Sequence, residues 1–112
     1  MSARSETLLW IAQRVSAAVL AVCVVVHLAT ITYAVQGGLT AAEILGRTRG
    51  NVAWFAFYAV FVLAVTVHAP IGLRNVFTEW LGWRGRSRDL FLLLVAATLA
   101  WMGLSAVLAV FA

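Results

Sequence analysis

Lysine is absent from this 112-residue chain, and all eight of its basic residues are arginine. Charged residues of both signs make up 11% of it, where a soluble domain carries roughly 25%. That shortage excludes a soluble globular fold. A single cysteine, Cys23, excludes an internal disulfide and a thiolate metal cluster. The four acidic residues are Glu6, Glu43, Glu79 and Asp89, and each lies in the lead-in or at a loop. None is embedded in an apolar run, which argues against a carrier that exchanges protons on a buried carboxylate. There is one proline, Pro70, and there are two histidines, His27 and His68. No repeat and no low-complexity tract interrupts the chain. What is abundant is apolar surface, at 64% of residues. The net charge of +4 comes from arginines at the ends of apolar runs. That placement reads as orientation signals and lipid-headgroup contacts, not as a nucleic-acid surface.

Three runs are long enough to cross a bilayer, for which about 20 apolar residues suffice. The first spans about 8–35, uncharged from Val15 through Ala42, and ends at Gln36-Gly37-Gly38. Residues 1–8 form a short polar lead-in with Arg4 and Glu6. The run that follows is too long for the core of a signal peptide, and an uncleaved start is expected. A connection over 36–50 carries Arg47 and Arg49, and Thr40 to Leu45 suits a short interfacial helix. The second span covers about 51–77, with Trp54-Phe55-Ala56-Phe57-Tyr58 as an aromatic belt. Trp80, Trp83, Arg84, Arg86 and Arg88 then make a basic, aromatic interfacial loop. The third span covers about 90–111, preceded by Asp89 where a helix N-terminus favours negative charge. Its Thr98, Gly103, Ser105 and alanines suit close helix packing. The whole reads as one transmembrane domain over 1–112. Arg4, Arg14, Arg74, Arg84, Arg86 and Arg88 fall on one side of the membrane, and Arg47 and Arg49 on the other. The positive-inside rule places the N-terminus in the cytoplasm and the C-terminus outside.

Two stripes of polar and small residues could carry chemistry. In the second span Ala64, His68, Gly72, Asn75 and Glu79 share a face at 100° per residue. An imidazole in hydrocarbon is expensive unless a partner is supplied, and it marks a functional site by default. Pro70 removes an N–H from the carbonyl of Thr66 and is expected to loosen the helix there. The small residues around His68 leave room for something flat and large, such as a haem. In the first span Gln13, Ser16, Leu20, Cys23, His27 and Thr30 share a face. Packing accounts for Cys23 and Thr30; His27 is either bonded to a neighbouring helix or a ligand. Counted from Arg14 and Arg74 as markers of one membrane edge, the imidazoles lie on the order of 10 Å apart in depth. One iron cannot take both. Arg14 either snorkels to lipid phosphate or contacts a haem propionate or quinone carbonyl, with Trp10 and Ser16 lining that pocket. Arg74 and Glu79 form either a plain interfacial ion pair or part of the same site.

At these residues the sequence resembles the cytochrome b membrane-anchor subunit, the C-type subunit, of succinate dehydrogenase and fumarate reductase. The family has His-Arg-x-Ser-Gly at the start of its first span, and this chain has Gln13-Arg14-Val15-Ser16-Ala17. It has His-x-x-x-Gly-x-Arg in its second span with an acidic residue eleven after the histidine; here these are His68, Gly72, Arg74 and Glu79. Gln13 stands where the family has a histidine, and Trp10 where it has a quinone-binding serine. The resemblance implies His68 as an axial ligand of a b-type haem and Arg14 beside the quinone site and a haem propionate. His27 matches a first-span histidine of the two-haem members, which implies one or two haems shared with a D-type anchor. Ubiquinone or menaquinone would be the substrate. A flavoprotein and an iron–sulfur subunit would sit on the cytoplasmic face of a bacterial inner membrane.

The expected fold is therefore an all-α membrane protein of three transmembrane helices, half of a two-chain haem-binding bundle. The expected role is to pass electrons between the iron–sulfur subunit and quinone, with no catalytic residue in this chain alone. The rival readings are a cofactor-free scaffold, whose histidines bond only to neighbouring helices, and a small proton-coupled transporter.

Overall fold

A computed structural model describes residues 2–112, and its regular structure is entirely helical among the described residues. The order is α1 (Ala3–Gly37), α2 (Ala41–Thr48), α3 (Val52–Leu81) and α4 (Arg86–Phe111). Helices α1, α3 and α4 are each long and apolar enough to span a membrane. At ~1.5 Å per residue, α1 is about 50 Å long and outreaches a hydrocarbon core of roughly 30 Å. The molecule measures 49 × 24 × 23 Å. Helix α3 is the centre of the bundle, packed on α1 along one face and on α4 along another.

Helix α1 starts earlier than the apolar pattern suggests, because Ser2 caps it. The Ser2 hydroxyl accepts a hydrogen bond from the Ser5 N–H at 3.2 Å, as a helix N-cap does. The short helix expected in the connection is α2, capped in the same way by Thr40 on the Glu43 N–H. Helix α3 runs unbroken through Pro70, so the expected loosening does not end the helix.

Both arginines of the α1–α3 connection sit on helix C-termini, where free carbonyls carry partial negative charge. Arg47 donates to the Gly38 carbonyl at the end of α1, and Arg49 donates from Nε to the Ala112 oxygen beyond α4 at 3.0 Å. The Thr48 hydroxyl and the Gly50 N–H donate to the Val110 and Phe111 carbonyls, each at 2.8 Å. The connection thus staples the end of α4.

At the opposite end α3 turns into α4 through Gly82, whose φ of 62° is left-handed. Trp83 packs against Phe77 and Phe91, and its indole N–H donates to the Ser87 hydroxyl. Arg88 departs from the exposed arginine that the sequence pattern implies. It is 6% exposed and donates to the Thr78 hydroxyl at 2.7 Å and to the Asp89 carboxylate at 2.8 and 3.0 Å. It ties the start of α4 to the end of α3.

The core is thin. Besides Arg88, only Ser16, Cys23, Ala64, Leu92 and Val107 are buried among the described residues. Exposed leucine and valine cost little where the solvent is lipid, so packing goes to small residues at close crossings. Gly103 marks one: a Cβ added there would lie 2.5 Å from Cγ1 of Val62.

Candidate functional site

The α1 stripe faces α3. Every one of Gln13, Ser16, Leu20, Cys23, His27 and Thr30 is at least partly buried, whereas most of the residues between them are exposed. The α3 stripe meets it over Ala64, His68 and Gly72, while Asn75 and Glu79 run on into exposed surface. Two polar contacts bridge the seam. The Ser16 hydroxyl lies 3.3 Å from His68 Nδ1, and the Tyr58 hydroxyl lies 3.3 Å from His27 Nδ1. His27 also meets Tyr58 and Phe61 edge-on, with centroids 5.7 and 5.6 Å away.

The space expected around His68 is partly taken by α1 itself. Gly72 is where Gln13 approaches, its Nε2 only 3.4 Å from the position a Cβ would occupy. Gln13 Oε1 is buried and has no hydrogen-bond partner among the described residues. Each imidazole uses Nδ1 within the chain, and neither Nε2 makes a hydrogen bond to a described residue. Neither Nε2 is sealed inside the chain either, since the buried atoms without a partner do not include them. Both are therefore unpaired among the described residues and not fully enclosed by them.

Depth separates the two rings more than the arginine markers suggest. His27 lies eleven residues beyond Ser16 on α1, and His68 ten beyond Tyr58 on α3. At ~1.5 Å per residue the rings are about 15 Å apart along the helices, against the expected 10 Å. The discrepancy has a simple origin. In the register that sets Ser16 against His68, Arg74 lies level with about residue 10 of α1 and not with Arg14, and its guanidinium reaches on to Glu6, to which it donates at 2.9 Å. Among the described residues its ion-pair partner is Glu6 of α1, and not Glu79 five residues further along its own helix.

Trp10 and Arg14 do not join Ser16. They sit one turn apart on the outward face of α1, with the guanidinium stacked 5.2 Å from the Trp10 ring centre. A cation over an aromatic face is held by the ring quadrupole. Ser16, two residues on, points into the seam instead.

Beside His27 a cleft of about 520 Å³ opens between α1, α3 and α4 under the cover of α2. Tyr58, Phe61, Met102 and Gly103 are among its walls, and nearly all of its lining is apolar. No group of three or more His, Cys, Asp or Glu side chains that would hold a bare metal ion occurs among the described residues. Single imidazoles with an open Nε2 remain, and these suit an iron whose other ligands come from elsewhere.

Tyr58 is the site residue that the sequence pattern hides, because it sits within an aromatic belt. In an antiparallel helix pair, each step up one helix is matched by a step down the other. Once Ser16 faces His68, that register brings Tyr58 opposite His27.

These features define a multi-pass helical membrane subunit with two seam-facing imidazoles at different depths. The family model described as the succinate dehydrogenase/fumarate reductase transmembrane subunit matches residues 1–110. The chain belongs to that family, and so to a membrane subunit that works in a complex with others. Comparison with curated proteins and with solved structures gave no match.

Proposed function

We propose that this chain is the C-type cytochrome b anchor of a succinate:quinone oxidoreductase, with His68 as an axial ligand of a b-type haem. The carrying observation is the pairing of an occupied Nδ1 with an open Nε2 at His68. Ligating histidines hold their second ring nitrogen in a hydrogen bond that orients the ring and raises its basicity. His27, bonded to Tyr58 in the same manner, is the ligand of a second haem nearer the α2 end. A separation of about 15 Å requires that each ring serve its own iron.

When bound, haem would accept and return single electrons at a potential set by its axial ligands and surroundings. The residues of this chain bind and orient. Both Nε2 atoms are unpaired among the described residues, which fits haems shared with a D-type anchor that supplies the opposite ligands. The unsatisfied Gln13 Oε1 likewise fits a seam completed by a group outside the chain. Trp10 and Arg14, on the outward face of α1 at the same end as the α3–α4 turn, would border the quinone site with that partner. Arg14 would donate to a quinone carbonyl or a propionate there. Arg74, held by Glu6, stiffens this end of the seam. Flavoprotein and iron–sulfur subunits would dock on the same end, in the cytoplasm of a bacterium, with the single domain over 1–112 anchoring them to the inner membrane.

One observation favours a cofactor-free scaffold: both imidazoles already have a partner within the chain. Pyridine haemochrome analysis of the purified complex separates the readings. Two haems are expected in the wild type and one in His27→Ala. His68→Ala is expected to lose or shift the other b-type absorbance. A complex that contains no haem, or whose spectrum is untouched by His68→Ala, would refute the ligand assignment.

A further inference from the structure

We infer that Ser16 is a positioning residue that selects the Nδ1–H tautomer of His68 and so leaves a lone pair on Nε2; its role toward iron rests on the haem reading above. The Ser16 side chain belongs to a residue only 6% exposed, in the seam between α1 and α3. Its hydroxyl donates to the Gln13 carbonyl one turn back at 3.1 Å. Its oxygen also lies 3.3 Å from His68 Nδ1. A serine hydroxyl has one proton and two lone pairs. With the proton committed to the closer Gln13 carbonyl, the oxygen is left to accept. Nδ1 must then be the donor.

A neutral ring with its proton on Nδ1 carries a bare lone pair on Nε2. That is the nitrogen with no hydrogen bond to a described residue. Ser16 therefore makes His68 ready to bind a metal without first moving a proton between ring nitrogens. The back-bonded hydroxyl is a local habit of this chain: Thr30, Thr66 and Thr98 each donate to the carbonyl four residues back. Among the described residues, Ser16 alone has such a hydroxyl that also meets an imidazole on another helix.

His27 provides the contrast. Its partner is the Tyr58 hydroxyl, which makes no second hydrogen bond among the described residues. That proton is free to point at the ring or away from it, so the chain leaves the His27 tautomer open. The two histidines thus differ in preparation although they look alike in sequence.

The test has an arm that needs no haem. In the full chain labelled with 15N-histidine and held in lipid nanodiscs, His68 is expected to show a protonated Nδ1 and an unprotonated Nε2. Ser16→Ala should lose that fixed pattern, and Ser16→Thr, which keeps the hydroxyl, should retain it. The second arm uses the purified complex. Ser16→Ala should weaken haem retention by roughly ten- to a hundredfold, the range seen when a partner of a metal ligand is removed. It should also raise the midpoint potential of the haem that remains, because a less basic imidazole stabilises ferric iron less. Ser16→Thr should restore both. An unprotonated Nδ1 in the wild type would overturn the tautomer assignment. Loss of haem in His68→Ala beside unchanged haem content and potential in Ser16→Ala would overturn the role of Ser16 alone. An unchanged spectrum in His68→Ala would instead overturn the ligand reading.

Discussion

Gly103→Ala tests how α3 and α4 are held together. The added Cβ would lie 2.5 Å from Cγ1, 3.0 Å from Cγ2 and 3.3 Å from Cβ of Val62. Carbon atoms in ordinary contact are about 3.5–4.0 Å apart, so the crossing must open by about 1 Å. Val62 cannot relieve this by rotating, because a helical valine strongly prefers one χ1 rotamer and both of its methyl groups are close. Overpacking of this kind costs about 1–3 kcal/mol. The better helix propensity of alanine offsets about 1 kcal/mol of it. A net loss of about 1 kcal/mol is expected, and a larger one for Gly103→Val. Val62→Ala removes both methyl groups and should absorb most of the overpacking. The double variant should then be more stable than the sum of the single effects by about 1 kcal/mol or more. Reversible unfolding of the full chain in mixed detergent micelles, followed by helical circular dichroism, measures all four corners of the cycle. A Gly103→Ala chain as stable as the wild type, with strictly additive effects, would refute the close crossing.

Two further substitutions probe the ends of the bundle by the same assay. Arg88→Ala should cost about 2 kcal/mol, in the range for hydrogen bonds to charged groups, because a buried guanidinium holds both Thr78 and Asp89. Arg88→Lys should recover little of this, since an ammonium cannot reproduce the planar fork; full recovery would show that charge alone matters. Glu6→Gln should cost less than about 1 kcal/mol, as expected for an ion pair whose carboxylate is 52% exposed. A larger loss would mean that the Glu6–Arg74 contact is shielded from solvent far more than its exposure indicates.

Hydropathy made the three spans legible, because a segment of about 20 apolar residues has few alternatives to a membrane helix. The inward faces were legible as well. Ser16, Cys23 and His27 on α1, and Ala64, His68 and Gly72 on α3, repeat at three, four or seven residues, and the helix turns them to one side. The start of α1 was harder to read, because Ser2 caps a polar first turn that hydropathy cannot register.

The sequence by itself determined the class of protein, its number of crossings and the inward faces of the α1 and α3 spans. Those follow from interactions within one helix and from its preference for lipid. Only the tertiary structure decided which residues meet. Glu6 takes Arg74 from Glu79, Arg88 turns inward, and Trp10 with Arg14 parts from Ser16. Serine is given to one histidine and tyrosine to the other. The physical reason is register. Hydropathy is nearly unchanged when one helix slides a turn past its neighbour, whereas a hydrogen bond survives a displacement of only a few tenths of an ångström. The register of α1 on α3 is set by close packing at small residues such as Gly72 and by the polar contacts across the seam, and these form only when the helices come together.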